Sequence, residues 1–239
     1  LMALSQQDRR MKLMEELKER GERATPAAVA RLESKAEARL EVATNIARFQ
    51  ELGAKVELVL GDATDPAILE AALKKAAKKS HVDLVIHAAG VDYSRLLTRK
   101  SEDEIRQVLN VKIAPMQQLM ATFNGVSVGS FLTFSSVAAH FGNGGQTDYA
   151  AANAALEALT HTMAQRLEGS SCRSIAWGPF ADVGMAARPE IAKALSDRGV
   201  EFIPLKAGVS AFMEELVCPI EGATHVVRTQ ELGALASEQ

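Results

Sequence analysis

Four polar residues in the middle of the chain have the types and the spacing that proton transfer requires. Tyr149 and Asn153 are four residues apart in a small-residue segment that predicts a helix, so their side chains share one face. Ser136 stands at the end of a predicted buried strand, and Lys112 lies upstream in a second predicted helix. A neighbouring ammonium group lowers the pKa of a phenol from its usual value of about 10, which makes Tyr149 a candidate general acid.

The elements that must position these residues alternate between strands and helices. Such alternation predicts an α/β fold, a Rossmann-like doubly wound parallel sheet, whose chemistry lies at the carboxyl ends of the strands. The predicted strands are residues 1–4, 56–60, 83–87, 129–134, 174–177 and 225–228. The predicted helices are 11–21, 26–53, one from 66, one from 102, one from 147, a short one within 178–203, and 205–216.

Composition restricts the class of protein. A chain of 239 residues is long enough for one α/β domain with a sizeable core. The net charge of −3 gives no basic footprint for nucleic acid. The sequence has no run of eighteen apolar residues and no signal-peptide pattern, so a cytoplasmic location without a membrane partner is expected. Cys172 and Cys218 are expected to be reduced thiols.

The motifs resemble those of short-chain dehydrogenases/reductases, and in particular the ketoreductase domains of polyketide synthases and polyunsaturated fatty acid synthases. Most members of that superfamily carry Lys four residues after the Tyr. Here Asn153 takes that place and Lys112 precedes Tyr149, as in the ketoreductase domains. The likeness extends over most of the chain through H-A-A-G (87–90), G-Q-T-D-Y-A-A-A-N (145–153) and W-G-P-F-A-D-V-G-M-A (177–186).

The resemblance implies a catalytic role for each of the four residues. Tyr149 would protonate the substrate oxygen, and Lys112 would lower the Tyr149 pKa and contact the nicotinamide ribose. Ser136 would donate a hydrogen bond to the substrate carbonyl oxygen. Asn153 would hold the helix that carries Lys112, which Pro115 is expected to bend, and a water molecule that passes protons onward. His87, in the same motif region, is expected to support the site rather than to react.

The resemblance also implies NADPH as the cofactor, with no metal ion. Asp62 would meet the adenine, and Pro179 would lie beside the nicotinamide. Small residues after a strand would let the flat cofactor approach the backbone. The expected cofactor-binding residues are Asp62, Ala63, Ala88, Ala89, Gly90, Lys112, Tyr149 and Pro179.

The chain departs from the family pattern in three places. The family's Arg for the 2′-phosphate has its nearest match at Ser5 and Gln6, so the choice of NADPH over NADH rests on family usage. Residues 91–93 and Phe141 match neither stereochemical fingerprint, which leaves the hydroxyl configuration open. No Gly-rich phosphate-binding turn precedes a helix, although the fold places one after its central first strand. We therefore expect an N-terminal segment to be truncated, omitted or supplied by another chain.

These observations predict a single domain, 1–239, with a helical insertion at 6–53. The leading hypothesis is NADPH-dependent reduction of a 3-oxoacyl group on an acyl carrier protein thioester, within a synthase that contributes other domains as partners. One alternative is a cofactor-free structural module of a megasynthase. Another is a free-standing reductase of small ketones or sugars. The 178–203 region is predicted to be a loop with a short helix that serves as a lid, and its residues 181–198 are expected to be mobile without substrate.

Overall fold

The computed structural model describes residues 5–77, 81–123 and 125–236, which fall into two compact units, Leu1–Val59 and Leu60–Gln239. The first unit is a pair of helices, α1 (Gln6–Glu19) and α2 (Pro26–Glu51). Each helix begins at a hydroxyl side chain that accepts a backbone hydrogen bond. Both helices lie within the predicted insertion, residues 6–53. That the whole chain forms a single domain stays a prediction. The small buried cluster of this unit is Leu13, Leu17 and Val29.

The second unit alternates helices with strands, as the sequence predicted. No helix in the described ranges is long and apolar enough to cross a membrane. The strands are β1 (His81–His87), β2 (Ser127–Ser136), β3 (Ser171–Trp177) and β4 (His225–Arg228). The helices are α3 (Pro66–Ala76), α4 (Glu102–Thr122), α5 (Ala138–Phe141), α6 (Thr147–Arg166), α7 (Pro189–Ser196) and α8 (Leu205–Val217).

The four strands form one parallel sheet in the order β1-β2-β3-β4. His87 pairs with Thr133 and Ser136 pairs with Trp177, so the carboxyl ends of the first three strands lie along one edge. Strands β2 and β3 are central, and most of their residues are buried. The predicted Rossmann-like α/β fold is therefore confirmed.

The main core lies between this sheet and helices α4 and α6, which pack against each other. Phe131 of β2 is completely buried, and its ring meets Phe123 edge to face at a centroid distance of 6.1 Å. Met116 on α4 and Leu156 on α6 are also fully buried in this cluster. Close packing against β2 fixes the two helices that carry the candidate catalytic residues.

The start of helix α4 agrees with its sequence signal. The Ser101 hydroxyl accepts a hydrogen bond of 3.2 Å from the Glu104 amide, and the Ser101 amide donates one of 2.9 Å to the Glu104 carboxylate. These reciprocal bonds form the predicted capping box. They fix the first turn of the helix that carries Lys112.

Residues 56–60 do not form a strand, so that prediction is wrong. Their apolar and polar residues alternate as in a strand, but Leu58 and Leu60 are 53% and 81% exposed. A strand requires a neighbour that satisfies its backbone N–H and C=O groups, and none among the described residues pairs with this segment. The described residues thus form four strands, and the predicted strand at 1–4 lies outside them.

Candidate active site

A cavity of about 550 Å³ lies at the carboxyl ends of β1, β2 and β3. Its walls come from residues that end or follow each of these strands, as expected for a parallel sheet. Residues 56–60, predicted as a strand, contribute nothing to these walls. The predicted site residues that line the cavity are Ala88, Gly90, Lys112, Ser136, Tyr149 and Pro179.

Lys112 reaches the cavity from α4 and is only 4% exposed. Its Nζ donates a hydrogen bond of 2.8 Å to the carbonyl oxygen of Phe134. A side chain at Gly90 would come within 3.3 Å of the Lys112 Cε atom, so the glycine leaves room for the amine. Burial lowers the pKa of Lys112 from its usual 10.5 to about 8, because the charged form is poorly solvated.

His87 supports Lys112 from behind and does not itself line the cavity. Its Nε2 lies 2.9 Å from the carbonyl oxygen of Lys112, and because a carbonyl only accepts, this nitrogen donates. Burial lowers the pKa of His87, and the Lys112 carbonyl bond offsets that effect in part. The neutral imidazole thus anchors helix α4 at the residue whose side chain enters the site.

Tyr149 and Ser136 meet on the same wall. Burial raises the pKa of Tyr149 above its usual 10, and the Asp92 charge raises it further. Hydrogen bonding with the side chains of Ser136 and Asn153 lowers it, but by less than burial raises it. The direction is opposite to the lowering predicted from Lys112. The phenol is half-buried and the Lys112 amine bonds the Phe134 carbonyl, so Tyr149 keeps its proton at neutral pH.

Asn153 lies behind Tyr149 and is fully buried rather than on the cavity wall. Its Nδ2 donates a hydrogen bond of 2.7 Å to the Tyr149 carbonyl oxygen, one turn earlier in α6. Its Oδ1 is buried without a protein partner among the described residues. A buried acceptor of this kind normally has a partner, and a water molecule would meet the need. This bond lies within α6 itself, so the roles of Asn153 in holding the bent helix and in relaying protons both stay predictions.

Three predicted cofactor residues, Asp62, Ala63 and Ala89, are not part of the cavity wall. The carboxylate of Asp62 is exposed and accepts hydrogen bonds of 2.9 and 2.8 Å from the Thr64 amide and hydroxyl. These bonds lower the Asp62 pKa. In this structure Asp62 stabilises the turn before α3, and its role towards adenine stays a prediction.

A chain of polar side chains on the cavity wall escaped the sequence prediction. The Gln146 amide donates to Asp92 at 2.6 Å and accepts from Asn143 at 2.9 Å. Arg198 then donates to the Asn143 side-chain amide oxygen, Oδ1, at 3.0 Å. These hydrogen bonds link the loop after β1 to the loop before α6 and to the end of α7. The polar residues inside the Gly-rich run 142–146 were the feature of the sequence that could have indicated these hydrogen bonds.

A buried ion pair fixes the first turn of α6 beside Tyr149. Lys100 pairs with the Asp148 carboxylate, and both side chains are only 1% exposed. The same carboxylate oxygen accepts a 2.9 Å hydrogen bond from the Tyr149 amide. Sequence reasoning did not find this pair, since an Asp in the first turn of a helix is common without a buried partner.

The predicted lid region is a closed loop that carries α7. The hydrogen bonds from Ile203 to the Pro179 carbonyl, 2.7 Å, and from Ala181 to the Ile203 carbonyl, 3.1 Å, join its two ends. Leu195 on α7 is buried in one cluster with Val137, which directly follows Ser136. The short predicted helix is confirmed, and the mobility of the region stays a prediction.

The pKa of Lys112 gives a direct test of this geometry. We expect the Lys112 ammonium to lose its proton near pH 8, so the side chain is charged below that pH and neutral above it. A carbon NMR titration of the lysine ε-methylene groups measures this, and Lys112→Arg identifies the signal by its disappearance. Titration at the usual value of 10.5 would contradict the buried placement.

Solved structures that superpose on this chain include ketoreductases and a short-chain dehydrogenase. An A-type ketoreductase from a modular polyketide synthase superposes with a TM-score of 0.73 and 28% identity, covering 82% of this chain and 42% of that one. A short chain dehydrogenase from Burkholderia cenocepacia, solved in complex with NADP, shares the fold with a TM-score of 0.65 and 21% identity. This superposition covers 79% of this chain and 80% of the dehydrogenase chain. The fold is that of the short-chain dehydrogenases/reductases.

The sequence comparison defines the family more narrowly. The profile of the KR domain matches residues 11–182, and the chain belongs to this ketoreductase family. One relative, a component of the polyunsaturated fatty acid synthase of a Thraustochytrium species, is 32% identical over 190 residues, 79% of this chain. Another, a component of the phenolphthiocerol/phthiocerol polyketide synthase of Mycobacterium tuberculosis, is 33% identical over 188 residues, 78% of this chain. The chain spans 7% and 8% of the lengths of these two relatives.

Proposed function

We propose that this ketoreductase domain reduces the 3-oxoacyl group of an acyl carrier protein thioester to a 3-hydroxyacyl group, with NADPH as the reductant. The observation that carries the proposal is the presence of Ser136, Tyr149 and Lys112 on one cavity wall at the carboxyl edge of the sheet. This residue set suits the protonation of a carbonyl oxygen.

The nicotinamide end of the cofactor fits the residues present. Gly90 and Pro179 present little side-chain bulk at the ends of β1 and β3, beside the buried Lys112 amine. Together with Tyr149 these residues would hold the nicotinamide and its ribose. NADPH, when bound, would supply the hydride for the 3-oxo carbon. Asp62 accepts hydrogen bonds from Thr64, and its role towards the adenine end stays a prediction.

Tyr149 would donate its proton to the substrate oxygen. Its raised pKa keeps that proton in place at neutral pH, and an oxygen that becomes an alkoxide is basic enough to take it. Ser136, whose hydroxyl accepts a 3.2 Å bond from the Ala138 amide, would orient the substrate oxygen towards the phenol. Lys112, charged below about pH 8, would favour the phenolate that remains.

Asn153 would restore the proton of Tyr149 through water. Its amide nitrogen donates to the Tyr149 carbonyl, and its buried Oδ1 has no protein donor among the described residues. A water at that oxygen would link the interior of α6 to solvent and would satisfy a group that is costly to leave unpaired.

The partners follow from the relatives. Both are parts of multidomain synthases, and the chain corresponds to a small part of each. We therefore assign an acyl carrier protein and other synthase domains as partners, in the cytoplasm. Neither a nucleic acid nor a membrane is part of this assignment.

The test compares three substrates with the natural protein that contains this chain. We expect NADPH-dependent reduction of a 3-oxoacyl carrier-protein thioester to be fastest, with the same acyl group on N-acetylcysteamine slower and a plain ketone slowest. Equal rates for the ketone and the thioesters would favour a free-standing reductase. No reduction together with no NADPH binding would favour a structural module.

A further inference from the structure

One end of the cavity is apolar and is built by two segments that lie far apart in the sequence. Ile191 and Leu195 of α7 contribute from one side, and Leu235 contributes from a short segment, residues 231–236, that we name the strap. Val137 joins them at the end of β2. All four belong to one hydrophobic cluster, so they enclose this end by mutual packing.

Backbone hydrogen bonds fasten the strap to the end of the lid region. The Ala234 amide donates to the Arg198 carbonyl at 3.0 Å, and the Glu201 amide donates to the Glu231 carbonyl at 2.8 Å. The close approach depends on Gly233, whose φ is +51°. A Cβ atom at Gly233 would lie 2.4 Å from the Arg198 carbonyl oxygen, so a side chain there would displace the strap.

Two strap leucines are both buried, but they face different surroundings. Leu235 is 5% exposed and lines the cavity. Leu232 is 8% exposed and packs in the same cluster, yet it is not part of the cavity wall. A change at Leu235 therefore alters cavity shape, whereas a change at Leu232 alters packing alone.

Polar and apolar residues contribute separately to the cavity wall. Asp92, Gln146 and Asn143 line the cavity together with Arg198, which bonds Asn143, and covering these groups with hydrocarbon would remove their access to water. Covering the Leu195 and Leu235 side chains with hydrocarbon removes no polar group from water. An acyl chain whose keto group lies at Ser136 and Tyr149 gains most by extending towards this apolar end.

We propose that Leu235 closes the apolar end of the cavity and sets the length of acyl chain that the enzyme accepts. The proposal rests on the proposed function, because the ligand is the acyl chain of the 3-oxoacyl thioester. Leu235 acts on the chain terminus through packing and takes no part in the proton transfer. The substrate class is thereby narrowed to 3-oxoacyl groups with a saturated or unsaturated hydrocarbon tail of limited length.

The test compares Leu235→Ala and Leu235→Phe in the natural protein, with Leu232→Ala as the matched packing control. The quantity is the ratio of kcat/KM for 3-oxodecanoyl to that for 3-oxobutanoyl N-acetylcysteamine thioesters. We expect Leu235→Ala to raise this ratio by about tenfold or more, since a few methylene groups in an apolar pocket have that effect. Leu235→Phe should lower the ratio, and Leu232→Ala should leave it unchanged.

Equal ratios in wild type and both Leu235 variants, or the same shift in Leu232→Ala, would overturn the assignment of Leu235. Near-UV circular dichroism checks that each variant is folded. A wild-type protein that reduces neither thioester would refute the proposed function alone. In that case the affinities for the saturated decanoyl and butanoyl thioesters, measured by calorimetry, still decide whether Leu235 limits chain length.

Discussion

Replacing Tyr149 with Phe is expected to slow the reduction of a 3-oxoacyl thioester by a factor of about 10²–10⁴, the usual contribution of a positioned general acid. The substitution removes the proton and the hydroxyl that interacts with Ser136, while the ring keeps its packing. NADPH affinity should change little, because the substitution leaves most of the expected cofactor-binding residues unaltered. Initial rates and cofactor titrations on the same preparation separate the two effects.

The chain supplies a matched control, because it has one other tyrosine. Tyr93 donates a 2.9 Å hydrogen bond from its hydroxyl to the Gln107 side chain, and it does not line the cavity. Tyr93→Phe should therefore retain wild-type turnover. If both variants were equally active, Tyr149 could not be the proton donor.

The second large effect is expected in the stability of the fold, at a buried charge cluster outside the cavity wall. Glu215 on α8 is 2% exposed and accepts hydrogen bonds of 2.5 Å from Arg173 on β3 and 2.9 Å from Arg228 on β4. Arg173 is also 2% exposed and donates to the Ile220 carbonyl at 2.6 Å. This cluster joins α8 to two strands and to the loop that precedes β4.

Neutralising Glu215 leaves the Arg173 charge buried without its partner. Glu215→Gln should therefore lower the free energy of unfolding by about 3–5 kcal/mol. Glu214→Gln is the control, because Glu214 is 63% exposed and pairs with Arg228 at 3.2 Å, where an ion pair is worth about 1 kcal/mol or less. Hydrogen exchange of the β3 and α8 amides in the natural protein measures both changes. Equal losses in the two variants would contradict the role of the cluster.

Much of the fold could be predicted because its signals are local. The capping box at Ser101 and Glu104 fixes a helix start within four residues, and alternation of strands with helices fixes a parallel sheet. Parallel strands place their carboxyl ends together, so the cavity position followed from the order of elements. Ser136 and Tyr149 were found because their spacing resembles that of a known site.

What could not be predicted depends on contacts distant in sequence. Residues 56–60 carry a strand pattern, but a pattern cannot supply a neighbouring strand. Arg198 and Asn143 are 55 residues apart, so nothing local indicated their bond. The Tyr149 pKa was predicted in the wrong direction because the argument considered the Lys112 charge and not the burial of the phenol.

The central claim is that this cavity is the site of a carbonyl reduction. Mass spectrometry of the acyl group, after the natural protein has acted on a 3-oxoacyl carrier-protein thioester with NADPH, tests it most directly. We predict a gain of two hydrogen atoms that requires NADPH and is largely lost in Tyr149→Phe. A folded wild-type protein that binds NADPH and leaves the 3-oxoacyl mass unchanged would contradict the claim.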